Sequence, residues 1–240
     1  MRKPLRMQNG FFRKRNRTTD NHRIGGNLWN PAFRRERFLL FWGISAPIVR
    51  HRAAERRQGY PVHSARHLEK MVAELTLGKQ KYAAYSETAQ NASEALTPLI
   101  ERFSLLADDD AKAYLGYRNA LALPKASEEE QLARKAAMQI AIHYATEVPC
   151  RVIAAGMETI VILEQLCGNS NPTCSGDLAA AAAEIAAAGK IAWLNVLANL
   201  PYFSDRAEAQ TICAKQKATL TALCDRCERL YDTITADLEA

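Results

Sequence analysis

The run Leu178–Ala198, written LAAAAAEIAAAGKIAWLNVLA, constrains the fold more than any other part of this chain. It is far too long for a strand, whose usual length is about five or six residues. Read as a helix it is apolar on nearly every side, and such a helix must be surrounded. Small residues recur every three to four positions, so neighbouring helices can come close. A chain carrying this segment needs several further helices to bury it.

Those helices are legible from Met71 onward. Tyr82–Leu121 is rich in Ala, Leu, Glu and Lys, with one proline, Pro98, and no glycine before Gly116. Leu123-Pro124-Lys125 breaks it. Ser127, followed three residues later by Glu130, is a capping box that opens the next helix. That helix carries Leu132, Ala136, Ile140 and Tyr144 on one side, an apolar face to bury. Pro149 is expected to kink or restart it. Apolar residues then run nearly all round from Val152 to Leu166, and Gly168-Asn-Ser-Asn-Pro172 stops the helix. After Asn199-Leu-Pro201 the last helix places Leu220, Leu223, Cys227, Leu230, Ile234 and Leu238 at the three/four spacing of a bundle seam. No segment alternates with the period of two that marks a strand. The sequence therefore predicts an all-α fold. Residues 65–240 should form an antiparallel bundle of about five long helices, preceded by an irregular basic segment, 1–64.

At 240 residues the chain is long enough for a sizeable core. No apolar run reaches ~18 residues without a charge, so no membrane-spanning helix is expected. Six cysteines without an apolar leader point to a reducing cytoplasm rather than a disulfide scaffold. The net charge of +6 hides a split: residues 1–70 carry 17 Lys and Arg against 4 Asp and Glu, and residues 71–240 carry 15 against 22. The basic pI belongs to the first part alone, which also holds His22, His51, His63 and His67. Such a segment suits a disordered basic arm or an organellar transit peptide. It also suits a nucleic-acid-binding arm, with Phe11, Phe12, Trp29 and Trp42 interleaved among the cations.

Few residues carry obvious chemistry. Asp108, Asp109 and Asp110 crowd three carboxylates, and like-charge proximity can raise the pKa of one of them; a solvated acidic run is the plainer reading. Lys79 and Lys81 follow Gly78 where the first helix should end, which also suits a solvated basic helix end. Asp177 opens the Ala-rich helix as a catalytic carboxylate or as a partner of the helix dipole. Cys224 and Cys227 form a CxxC, but no histidine or second pair follows at ligand spacing, so packed core thiols are expected and no metal. His143, beside the apolar face of its helix, reads as a satisfied core histidine.

Six short stretches, in order, resemble the cyclodeaminase/cyclohydrolase family, the C-terminal domain type of formiminotransferase-cyclodeaminase. They are Met71-Val-Ala-Glu-Leu-Thr-Leu-Gly-Lys-Gln-Lys-Tyr82, Asp108-Asp-Asp-Ala-Lys-Ala-Tyr114, Leu123-Pro-Lys125, Glu147-Val-Pro149, Gly168-Asn169 with Ser175-Gly-Asp177, and Asn195-Val-Leu-Ala-Asn-Leu200. Each alone is weak, and together they cover residues 69–240. The resemblance implies a homodimeric helical enzyme of folate one-carbon metabolism and histidine breakdown. Its reaction would be ring closure of 5-formimino-tetrahydrofolate to 5,10-methenyl-tetrahydrofolate with loss of ammonia, or hydrolysis of the methenyl compound. Its substrate would be a tetrahydrofolate derivative, with no metal, no membrane and no nucleic acid. It further implies catalytic roles for Asp110, Asp108, Asp177 and Lys81, and substrate binding by Lys79, Asn169 and Asn195.

Two departures bear on those roles. The family's turn has Ser and Asp adjacent, whereas Gly176 separates Ser175 from Asp177. The family's Gly-rich loop and small-residue helix before Met-Val are replaced here by Val49–Lys70, rich in Arg and His. Back-translating that stretch and reading from the third base of Val49 is compatible with PAPGGGTAAGLSGALGAAL, the missing loop and helix in place. Two origins fit the segment: a shift of reading frame, or a divergent N-terminus. Side chains such as Arg50, His51, Arg52 and Glu55 cannot reproduce a close cradle of glycine amides, so impaired activity is expected. A nucleic-acid-binding protein and a catalytically inactive helical interaction protein are the competing readings.

Overall fold

The computed structural model describes residues 61–240, so nearly all of the basic segment, with most of the stretch ascribed to a shifted frame, lies outside the described residues. Among the described residues run five long helices and no strand: α1 (Pro61–Thr76), α2 (Ser86–Ala122), α3 (Glu128–Leu166), α4 (Ser175–Asn199) and α5 (Arg206–Glu239). The all-α bundle expected from the apolar spacing is what forms.

Each boundary has a local cause. α1 is under way at Pro61, four residues earlier than the sequence reading allowed. Gly78 ends α1 at a φ of +72°, the left-handed region that only glycine enters cheaply. A short 3₁₀ turn, Gln80–Tyr85, follows; Tyr82 leaves helical geometry (φ −114°, ψ 21°), so the helix expected from Tyr82 starts at Ser86 instead. The capping box is present: Ser127 Oγ accepts from the Glu130 amide and Glu130 Oε2 accepts from the Ser127 amide, both at 3.2 Å. Gly168, at φ +71°, closes the far end of α3. The Asp205 carboxylate caps α5, accepting from the amides of Ala207 at 2.8 Å and Glu208 at 3.1 Å.

Pro149 does not break α3, which runs through it for 39 residues. Proline has no N–H to give the carbonyl four residues back, that of Ala145. The side-chain amide of Asn199, at the end of α4, donates to that carbonyl at 2.8 Å. A neighbouring helix thus supplies the donor that the proline removes.

Cross-helix pairs fix the relative directions. Arg102 binds Glu158 at 2.6 Å, Arg151 binds Asp109 at 3.3 Å, and Arg134 Nη2 donates to the Leu121 carbonyl at 3.1 Å. Position rises along α2 as it falls along α3, so the two are antiparallel. His143–Glu208 and the bidentate Arg226–Glu164 pair rise together, so α3 and α5 run parallel. α4 lies among α1, α3 and α5.

The main core joins Val72, Leu96, Phe103, Leu106, Ile153, Ile160, Leu163, Leu178, Ile185, Leu223 and Ile234 across all five helices. A smaller cluster, Tyr117, Ile142, Phe203 and Ala209, fills the end where α2 hands over to α3. At the centre, Leu223 presses on Gly156 and Gly189. A Cβ at Gly189 would stand 2.8 Å from Leu223 Cδ2, so the small residues there permit a close three-helix approach.

The single chain leaves apolar surface open. Leu132 is 68% and Ile140 73% exposed, and Ala136 between them is exposed too. The face expected to be buried is therefore largely uncovered, because α2 and α5 pack on other sides of α3. On α4, Ala180, Ala183, Leu194 and Leu197 are exposed, with Lys190 among them. Pro172–Tyr202 is the one stretch among the described residues long and apolar enough to cross a membrane, and 39% of its most apolar window is buried in the chain.

Candidate functional site

The residues singled out from the sequence fall into two groups at different levels of the bundle. At one end, α1 finishes and α4 begins. Thr76 Oγ1 donates to the Val72 carbonyl at 2.8 Å and accepts from the Asn171 amide at 2.9 Å, both bonds buried. This ties the turn carrying Lys79 and Lys81 to the loop carrying Asn169, Asn171 and, just beyond, Asp177. Lys79 and Lys81 are exposed and lie 6.0 and 5.3 Å from the ring centre of buried Tyr82. Asn169 turns its side-chain amide back to the Gln165 carbonyl at 3.1 Å, finishing α3. Asp177 stands in the first turn of α4, where a carboxylate faces the positive end of the helix dipole.

The second group lies well along the bundle. A helix rises ~1.5 Å per residue, so Asp110 sits roughly 35 Å from the start of α2. Its neighbour Asp109 pairs with Arg151, which sets Asp110 at the level of that part of α3. Asn195 is one turn before Asn199 on the same face of α4. It is half-buried and makes no side-chain hydrogen bond among the described residues. Asp108 and Asp110 on α2 and Asn195 on α4 thus lie at a similar level along the bundle, set by Asp109–Arg151 and Asn199–Ala145 on α3, whereas Lys79, Lys81, Asn169 and Asp177 gather at the other end.

The three consecutive carboxylates do not act as one crowd. Successive helical residues project about 100° apart, so each meets a different environment. Asp108 is exposed. Asp109 is 18% exposed and pairs with Lys112 at 3.1 Å and Arg151 at 3.3 Å. The Lys112 hydrogen bond holds its carboxyl below the usual carboxylate range against the opposing effect of burial, with Arg151 and the Tyr144 hydroxyl adding to it. Asp110 is half-buried, and burial raises its carboxyl above that range. The expected raised carboxyl is present, but desolvation raises it, not like-charge repulsion. Two adjacent carboxylates with opposite tendencies are the pattern of a fixed counter-ion beside a proton carrier.

The remaining candidates resolve plainly. Cys227 is buried and Cys224 half-buried on α5. Burial pushes the Cys227 thiol up to about 12, as for a packed thiol. Among the described residues no group of three potential metal ligands comes together. His143 is not a core residue: it is 43% exposed, bridges to Glu208 at 3.4 Å and tilts against Phe203 with ring centres 4.5 Å apart.

Comparison with known proteins follows the same residues. The formiminotransferase-cyclodeaminase family matches residues 62–218. Methenyltetrahydrofolate cyclohydrolase from Methylorubrum extorquens is 30% identical over 167 residues, which is 70% of this chain and 80% of that protein. Formimidoyltransferase-cyclodeaminase from Gallus gallus is 30% identical over 135 residues, 56% of this chain but only 25% of that longer protein. The crystal structure of formiminotetrahydrofolate cyclodeaminase from Thermotoga maritima superposes with a TM-score of 0.59 at 26% identity, over 73% of this chain and 87% of that one. From α1 into α5, this chain belongs to the formiminotransferase-cyclodeaminase family.

Proposed function

We propose that this chain is a folate one-carbon enzyme that acts at the bond joining a one-carbon unit to N5 and N10 of tetrahydrofolate. The observation that carries the reading is the half-buried Asp110, inside the family match and beside an ion-paired Asp109. In ring closure, N10 attacks the formimino carbon and ammonia leaves, so the departing nitrogen needs a proton. In hydrolysis, water adds to the methenyl carbon and the C–N5 bond opens, so a base must take a proton from the water. A carboxyl held above its ordinary range serves as the acid in the first case and, once ionised, as the base in the second. Asn195 is a neutral donor at the same level for the tetrahedral centre. Asp108, exposed beside this pair, has a supporting part.

Lys79, Lys81, Asn169 and Asp177 lie too far along the bundle to touch a substrate at Asp110 of the same chain. We assign their substrate-binding and catalytic parts to a two-fold dimer in which a second copy turns that end toward Asp110. The uncovered stripe of α4 and the exposed Leu132 and Ile140 supply the apolar surface such a pairing would bury. Six unpaired cysteines are in keeping with a cytoplasmic setting.

The basic text at 49–70 replaces a glycine-rich loop in this reading, so activity of the chain as written should be weak. Replacing those residues by the shifted-frame text should raise turnover of 5,10-methenyl-tetrahydrofolate or 5-formimino-tetrahydrofolate, and Asp110→Asn should then abolish it. Turnover undiminished by Asp110→Asn would remove Asp110 from the chemistry.

A further inference from the structure

We propose that residues 38–49 of this chain dock on the uncovered face of α3 and close it within a single copy. The first ground is the face itself. Leu132 and Ile140 are 68% and 73% exposed, and exposed Ala136 lies between them. Glu129 stands seven residues before Ala136 and Glu147 seven after Ile140, so both exposed carboxylates lie on this face, two turns to either side. The face is apolar at its centre and acidic at both ends. Along this part of α3 the cations are engaged or turned away. Arg151 binds Asp109, His143 bridges to Glu208, and Arg134 donates to the Leu121 carbonyl. Lys135 stands about 100° round the helix from Ala136.

The second ground is that residues 38–49 are the complement of this face. They carry no charge and open on five consecutive large apolar residues, Phe38-Leu-Leu-Phe-Trp42. Arg34, Arg35 and Arg37 precede them, with Glu36 as the one acidic residue among those cations, and Arg50 and Arg52 follow. An apolar centre with basic ends thus matches an apolar centre with acidic ends, so burial and charge favour the same placement.

The third ground is reach. The Thr76–Asn171 bond places the end of α1 at the start of α4, and the Asn199–Ala145 bond places the end of α4 beside α3. At ~1.5 Å per residue, Pro61 lies roughly 22 Å and Ala145 roughly 36 Å along the bundle from that start. Glu147 is then about 11 Å farther along than Pro61, and residues 50–60 can span up to ~36 Å. From Glu147 to Glu129 is about 27 Å, within the ~45 Å that the steps from Arg50 to Arg37 allow. The two-fold pairing described above would also bury Leu132 and Ile140, so the chain's own segment and a second copy are alternative covers for this face. The tether at Pro61 favours the chain's own segment by effective concentration.

The test uses the full chain with the photo-crosslinker p-benzoylphenylalanine in place of Phe41 and, in a second preparation, in place of Leu39. After irradiation and trypsin digestion, the crosslinker should be joined to peptide 126–134 or 136–151, in a product of single-chain mass. Ile140→Glu, at an exposed position outside the core, should cut the yield about tenfold, because docking would then bury an unpaired charge. Glu129→Gln combined with Glu147→Gln should cut it about threefold, and about 0.5 M salt should do the same to the unaltered face. The same peptides joined in a product of double mass would make a second copy the occupant. Cross-links to other helices, or none from either position, would leave this face to a different partner. Each of these results overturns the inference, and none bears on the folate reading, which turnover tests.

Discussion

Replacing Asn199 by alanine should destabilise the bundle through a carbonyl 54 residues away. Asn199 is 5% exposed and its amide lies 2.8 Å from the Ala145 carbonyl, which Pro149 leaves without its helical donor. An unsatisfied buried polar group costs about 1–3 kcal/mol. Ala145 is half-buried, so some water reaches its carbonyl, and the lower half of that range applies, about 1.5 kcal/mol. For a domain of this size that is roughly 3–6 °C in Tm. The assay is urea denaturation of Asn199→Ala, Pro149→Ala and the double variant. Alanine at 149 restores the N–H for Ala145, so losing Asn199 should then cost only about 0.5 kcal/mol. The cycle predicts a coupling of about 1 kcal/mol. If Asn199→Ala costs the same with proline or alanine at 149, the proline-bridging account is wrong.

Asp110→Asn should raise Tm at pH 7 while abolishing turnover. A carboxyl whose folded pKa is raised adds stability only below its ordinary range and loses it as pH rises through the folded value, so removing the charge helps at neutral pH and the gain should vanish below about pH 4; a gain that persists there would contradict the assignment. Gly189→Leu should cost about 2–3 kcal/mol, because even a Cβ would meet Leu223 Cδ2 at 2.8 Å; calorimetry showing no loss would mean α4 and α5 are farther apart. Burial pushes the Cys150 thiol up to about 11 and Cys227 to about 12, so both should resist iodoacetamide at pH 8 in the folded chain and react in urea; rapid alkylation of the native protein would refute the packing.

Much of this fold lies in local patterns. The capping box at Ser127, the glycine stops at 78 and 168, and the all-apolar run of α4 each signal through neighbouring residues, and each forms as read. Proline was harder. Pro149 reads as a breaker, yet it is carried through α3. The difference at Pro149 is Asn199, whose partnership with Ala145 has no trace in sequence spacing. Leu132 and Ile140 mark a helical face correctly, but periodicity cannot say whether the same chain covers that face. In the site, the Asp108–Asp110 run was visible as a motif. The division of labour inside it depends on Lys112, Arg151 and burial, and Arg151 comes from another helix. The separation of Lys79 from Asp110 along the bundle likewise emerges only when helix lengths are laid end to end.

The central claim is that the helical domain processes a one-carbon unit on folate through Asp110. It is tested most directly by single-turnover measurement with 5,10-methenyl-tetrahydrofolate and 5-formimino-tetrahydrofolate, on the chain as written and on the version carrying the glycine-rich text at 49–70. The account predicts weak conversion by the first, clear conversion of at least one substrate by the second, and none after Asp110→Asn in the second. No conversion of either substrate by the restored version, with its helical fold intact, would contradict it.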